Sequence, residues 1–216
     1  LFRPLSLGTY MQQTPMADHP TKLTEPALLS TVCPCYTSEC VTTRHHPGLS
    51  SEQIHTLGMI LKSHDEPMAL ANGVRRGFLL GDSTGSGKGR IIASVIAEQS
   101  MRRRGFPSIW VSANKELSVD ALRDFRDVCS GSETPPHICT NSVSKLAYHV
   151  KNGESVVLFC SYHYLRVHCD EVVRSLAPVH DPVIIFDESH ISKNASGCGS
   201  KIATCVLHLQ DSIPGA

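Results

Sequence analysis

Ten residues, Gly81-Asp82-Ser83-Thr84-Gly85-Ser86-Gly87-Lys88-Gly89-Arg90, follow a short apolar run, Phe78 to Leu80, and open a helical period. A phosphate cradle requires that setting. Gly85 and Gly87 admit backbone conformations closed to other residues, so successive N–H groups can turn toward a polyphosphate, while the following helix presents its positive end. Lys88 then reaches the outer phosphates. Against the pattern G-x-x-x-x-G-K-[ST], Asp82 stands at the first glycine position and Gly89 where a hydroxyl normally meets Mg²⁺. The plain alternative is a glycine-rich turn with no ligand.

A second feature argues against that alternative. About a hundred positions after Lys88, the apolar run Val183-Ile184-Ile185-Phe186 ends in Asp187-Glu188-Ser189-His190. In a parallel sheet the carboxyl ends of the strands share one edge, so these carboxylates are expected near the phosphate loop. Asp187 is assigned to the Mg²⁺ that bridges two phosphates, and Glu188 to orienting the attacking water. His190 is placed to sense the terminal phosphate. The hydroxyl missing at Gly89 removes one Mg²⁺ ligand, a vacancy that water can fill because Mg²⁺ commonly keeps several waters.

These groups need a scaffold that brings distant segments to one edge. From Gly77 onward short apolar runs alternate with helical periods, the pattern of a mostly parallel sheet with crossover helices. Expected strands are Phe78 to Leu80, Ser108 to Ser112, His137 to Cys139, Val156 to Cys160 and Val183 to Phe186. Expected helical faces are Ile91, Ile92, Val95 and Ile96; Leu117, Ala121, Leu122, Phe125 and Val128; and Ile202, Cys205, Val206 and Leu209. An earlier helix should start at Leu49-Ser50-Ser51-Glu52-Gln53-Ile54. Ser50 and Gln53 there form a capping box, Leu49 can staple onto Ile54, and the buried face runs through Leu57, Gly58 and Leu61.

Upstream the pattern changes. Six of the 13 prolines fall within the first 47 residues, among Thr, Ser and His. We therefore read 1–48 as a Pro/Thr-rich arm, mostly loop, and 49–216 as the folded unit. Cys33, Cys35 and Cys40 lie near His45 and His46, but a single residue between the first two is poor zinc-ligand spacing. Free thiols in a loop are the simpler reading. Cys129, Cys139, Cys160, Cys169 and Cys205 lie on or beside apolar periods and are read as core thiols. Twenty basic residues balance twenty acidic ones, so bulk charge gives no reason for nonspecific nucleic-acid binding. Arg102 to Arg104 are explained by a helix's negative end. The odd count of nine dispersed cysteines suits a reducing, intracellular compartment. No apolar stretch approaches the roughly 18 residues of a membrane span.

The loop, the acidic couple and the stretches Trp110-Val-Ser-Ala-Asn114, Phe159-Cys-Ser-Tyr162 and Val183 to His190 with Lys193-Asn194 resemble one known group. It is the helicase-like AAA/superfamily 2 ATPase domain of the strawberry notch family. The likeness extends upstream through Leu49 to Gln53 and faintly to His19–Leu23, about four fifths of the chain. Gly-Lys-Gly-Arg is its most specific element, which makes the glycine at 89 a familial feature. The resemblance implies an α/β fold: a P-loop RecA-like parallel sheet with helices on both faces, forming the first lobe of a helicase core. It implies ATP and Mg²⁺ as cofactors, bound by Asp82 to Arg90, Asp187 and Glu188, with Gln53 near the adenine. Local capping remains an equal role for Gln53. The resemblance also places Ser112, Ala113, Asn114, Ser161 and Tyr162 where related motors touch a nucleic-acid backbone. DNA, chromatin and transcription factors are implied as partners, and the nucleus as location. The chain stops before the expected Ser-Ala-Thr strand and second lobe, so we expect an incomplete lobe, inactive by itself, with an exposed sheet edge. A noncatalytic nucleotide-binding scaffold is the rival reading. A small-molecule kinase is disfavoured because no substrate lid is evident.

Overall fold

The structure, a computed structural model, describes residues 48–65, 77–81, 85–103, 105–129, 135–192 and 201–213. The expectations on the arm and its cysteines and histidines, on Asp82, Ser83 and Thr84, on Arg104, and on Lys193 and Asn194 lie outside the described residues. Among those described, the elements run α1 (Ser51–Asp65), α2 (Lys88–Arg102), β1 (Pro107–Ser112), α3 (Ser118–Val128), β2 (His137–Thr140) and α4 (Val143–Lys151). They continue with β3 (Val156–Ser161), α5 (Tyr162–Leu176), β4 (Val183–Phe186), a 3₁₀ turn at Ser189–Ser192, and α6 (Lys201–Ser212).

The strands form one parallel sheet in the order β2-β3-β1-β4. Parallel strands need helical crossovers, which cover both faces, so the central strands are apolar on both sides. Val156 to Cys160 are all buried accordingly. Ile109, Val111, Leu158 and Cys160 turn to one face, where Leu146, Leu165, Val172 and Leu209 of α4, α5 and α6 cover them. Trp110, Val157 and Phe159 turn to the other, against Ala93 and Ile96 of α2 and Phe125 of α3. The Trp110 ring lies 5.5 Å from Phe159 and 6.2 Å, edge-on, from Phe125. This is the α/β, RecA-like arrangement expected, with helices on both faces.

The expected strand at Phe78 to Leu80 is absent. Its period of two survives, with Phe78 and Leu80 half-buried against the Leu57, Ile91 and Val183 cluster and Leu79 exposed. Among the described residues no strand pairs with this segment, and β4 pairs only with β1. The stripe expected on α2 is also too narrow. Ile91, Val95 and Ile96 are buried, but so are Ser94, Ala97, Glu98 and Gln99, while Ile92 is only half-buried. The helix lies between α1 and α3 and on the sheet, so little of its circumference meets water.

Helices α4 and α5 were not anticipated. The start of α5, Tyr162-His163-Tyr164, is rich in aromatics and reads locally as an extension of β3. Its buried residues, Tyr162, Leu165, Cys169, Val172 and Leu176, nevertheless keep a helical spacing. At the amino edge of the sheet, the turn from α2 into β1 passes close to the turn from α4 into β3. Gly105, at φ 71°, would place a Cβ 2.7 Å from the Gly153 carbonyl oxygen, so no other residue fits without moving backbone. Cys139, Cys160, Cys169 and Cys205 are buried free thiols and Cys129 is half-buried, in keeping with a core role.

Candidate nucleotide site

The site is built from the start of α1 inward. Ser50 Oγ accepts the Gln53 N–H at 3.3 Å and Gln53 Oε1 accepts the Ser50 N–H at 2.9 Å, which closes the capping box. The amide of Gln53 has a further donor, and Nε2–H reaches the Ser86 carbonyl at 3.0 Å. One side chain therefore caps α1 and ties it to the phosphate loop. Leu49 and Ile54 pack against the same apolar cluster, as a staple should.

The loop turns into α2 through two glycines in the left-handed region, Gly85 at φ 87° and Gly87 at φ 79°. Gly85 has open space around its Cα, so conformation alone selects it. Gly87 is selected twice, because a Cβ there would also strike Gln53 Nε2. As the N-cap of α2 it contributes no side chain, which leaves the first N–H groups of the helix turned toward whatever the loop holds. Gly85 and Ser86 are exposed, and Lys88, Gly89 and Arg90 half-buried. The last turn of α2 leads directly into the start of β1. Its 15 residues, about 22 Å of helix, pack through Ala93 and Ile96 against Trp110 and Phe159 of the sheet.

Asp187 leaves β4 at that carboxyl edge and is held at three atoms. Its N–H donates to the Val111 carbonyl at 2.8 Å, its Oδ2 accepts the Ser112 hydroxyl at 3.0 Å, and its carbonyl accepts the Tyr162 hydroxyl at 2.8 Å. Ser112 thus comes from the end of the adjacent β1, and Tyr162 from the start of α5, directly after β3. Burial, then the charges of Asp187 and Glu188, push the Tyr162 phenol well above its usual range, so it remains a donor. Glu188 sits at φ 53°, an uncommon conformation for a non-glycine residue, and turns the chain into the 3₁₀ turn. Its Oε2 lies 3.3 Å from His190 Nδ1, and both side chains are exposed.

Ser112 and Tyr162 face inward here. Ser112 is fully buried, and Ser161 Oγ accepts the Tyr164 N–H as the cap of α5. The backbone-contact roles implied for these residues therefore compete with structural ones. Two carboxylates escaped the sequence reading, Asp124 and Asp127, three apart on α3. Asp127 pairs with Arg90 at 2.9 Å, and Arg90 also reaches the Gly48 carbonyl at 3.4 Å. Asp124 faces Gly89. Burial raises its carboxyl, an effect opposed by the Arg123 guanidinium at 3.3 Å. The signal was the spacing Arg123-Asp124-Phe125-Arg126-Asp127, with Phe125 fixed in the core. At the opposite edge of the sheet, donor atoms of His137, His149 and Glu154 lie within 4.8 Å of one another. The 2.6 Å His149–Glu154 hydrogen bond and the stacked imidazoles account for that approach. No helix among the described residues is long and apolar enough to cross a membrane.

Residues 18–216 match the family described as P-loop containing NTP hydrolase pore-1. The chain is 34% identical over 212 residues to protein strawberry notch homolog 2 of Mus musculus, covering 92% of this chain and 15% of that protein. It is 32% identical over 222 residues to protein strawberry notch homolog 1 of Homo sapiens, with 92% and 15% covered. It is 32% identical over 221 residues to protein FORGETTER 1 of Arabidopsis thaliana, with 92% and 16% covered. The chain thus spans about a sixth of the length of these relatives.

Proposed function

Because the chain belongs to the strawberry notch family, in its P-loop NTP hydrolase domain, we propose that it binds Mg·ATP between the loop at Gly85–Arg90 and the Asp187–Glu188 couple, and that ATP is hydrolysed there. The observation that carries this reading is the anchoring of Asp187, at the carboxyl end of β4, by Ser112 of the adjacent β1 and by Tyr162 at the start of α5, together with the two left-handed glycines that lead into α2. Lys88 and the loop N–H groups hold the phosphates. The sequence pattern assigns Asp82, Ser83 and Thr84 to the same phosphate contacts. Glu188 orients the attacking water, and His190, paired with it, senses the terminal phosphate. Gln53 sets the loop's position through Ser86, a role compatible with contact to adenine.

Mg²⁺ suits the hard carboxylate oxygens of this edge, where Asp187 is its ligand, and when bound it neutralises charge on the phosphates. Precise placement of Asp187 matters because phosphoryl transfer depends mainly on position and electrostatics. For a chain of the relatives' length the family resemblance extends the proposal to a helicase-like motor with a second lobe. That motor acts on DNA in chromatin, in the nucleus, with transcription factors as partners. A noncatalytic nucleotide-binding scaffold is the second reading, favoured by Gly89, which offers no hydroxyl to the metal.

The test is equilibrium binding of a fluorescent ATP analogue with Mg²⁺, alongside ATP turnover with and without DNA in a chain of the relatives' length. Lys88→Ala is expected to weaken binding at least tenfold, and Glu188→Gln to retain binding while losing turnover. Unchanged binding by Lys88→Ala refutes the site. Wild-type binding with no turnover in the longer chain, DNA included, selects the scaffold.

A further inference from the structure

Gly89 departs from the usual loop pattern, and the structure shows what stands in its place. A Cβ built at 89 would overlap the Asp124 carboxylate, striking Oδ2 and lying 3.3 Å from Cγ. The position therefore faces an acidic oxygen contributed by α3, in the space a serine or threonine side chain would use. We propose that Asp124 replaces the missing loop hydroxyl: its carboxylate, admitted by Gly89, is this family member's additional oxygen toward the nucleotide's Mg²⁺. This rests on the nucleotide-binding reading above.

The surroundings are built for such a role. Asp124 is 8% exposed, held on α3 beside Phe125 and Ala121, which are buried in the core. Its Oδ1 accepts from Arg123 while Oδ2 turns to Gly89. One turn along α3, Asp127 grips Arg90, the residue after Gly89, so two acids three apart engage two successive residues of α2. The Gly-Lys-Gly-Arg variation and the acidic face of α3 then form one device: glycine supplies the space, and the arginine pair sets the spacing between the helices.

The chemistry separates this arrangement from an ordinary phosphate loop. A hydroxyl beside the phosphates is neutral, whereas a carboxylate there repels bare triphosphate and is reconciled with it by a divalent cation. Nucleotide binding should therefore depend unusually strongly on Mg²⁺, with Asp124 adding to the dependence that Asp187 already confers. The coupling is reciprocal, so it is readable as binding alone.

The experiment measures affinity for methylanthraniloyl-ATP in EDTA and in saturating Mg²⁺ for wild type, Asp124→Asn, Gly89→Ser and the double variant Gly89→Ser/Asp124→Ala. Wild type should gain at least tenfold in affinity with Mg²⁺. Asp124→Asn should bind more tightly than wild type in EDTA and show a Mg²⁺ gain at least threefold smaller than that of wild type. Gly89→Ser alone should lose affinity, and removing the Asp124 carboxylate in the double variant should restore binding. Thermal melts of the double variant control for folding, because it removes the overlap instead of adding one. A wild-type Mg²⁺ gain retained undiminished in Asp124→Asn, or a double variant no better than Gly89→Ser, overturns the proposal while leaving the nucleotide site intact. No binding by wild type under either condition overturns both.

Discussion

Replacing Ser112 by Ala removes a hydroxyl that is fully buried and donates to Asp187 Oδ2 at 3.0 Å. A hydrogen bond to an ionised acceptor contributes about 1.5–3 kcal/mol, and because Asp187 is only half-buried, water can partly replace the donor. The lower figure, about 1.5 kcal/mol, is therefore expected. Tyr162→Phe removes the neutral bond to the carbonyl of the same residue, worth about 1 kcal/mol. At a urea m-value of about 2 kcal/mol/M, the unfolding midpoint should fall by roughly 0.7 M and 0.5 M respectively. Both bonds fix one residue, so the double variant should depart from additivity by about 0.5 kcal/mol or more. The assay is urea unfolding followed by circular dichroism and tryptophan fluorescence, with ATP-analogue affinity measured at each variant's native baseline. Midpoints within about 0.1 M of wild type for both single variants would refute the claim that these side chains anchor the acidic couple. Strictly additive losses would show that they hold it independently.

Gly105→Ala should lower stability by about 2 kcal/mol or more. Left-handed backbone disfavours a side chain by about 1 kcal/mol, and the new methyl meets the Gly153 backbone; thermal unfolding reads the loss. Alkaline pH should also weaken the fold through Cys160, whose thiol is pushed up to about 12 by burial. The unfolded chain releases this proton near pH 8.5 and the folded chain retains it. Stability therefore falls by about 1.4 kcal/mol per pH unit from this group as pH rises between those values. Cys160→Ala should remove that part of the slope in urea titrations from pH 8 to 10, and an unchanged slope would contradict the assignment.

The fold class was legible because its signals are local. Apolar runs the length of a buried strand alternated with helical periods, and four of the five expected strands lie where those runs are. The capping box at Ser50 and Gln53 was readable for the same reason, since both partners lie within one turn. At Phe78 to Leu80 local signals do not suffice. Alternation sends Phe78 and Leu80 toward the core, but a strand also needs a neighbour's backbone, and composition carries no record of one. The start of α5 shows the converse: local preference favoured extension, and packing of residues spaced three and four apart prevailed.

The chain alone determined which residues can do chemistry: two glycines and a lysine before a helix, and two carboxylates after an apolar run. Their types and neighbours are properties of short segments. Tertiary structure decided who holds them. Ser112 and Tyr162 reach Asp187 across strand ends, Gln53 crosses from α1 to Ser86, and Asp124 enters the space at Gly89 from another helix. Each is a contact between segments 25 or more positions apart, made when the sheet and its crossovers bring those segments together, and no local periodicity encodes that meeting.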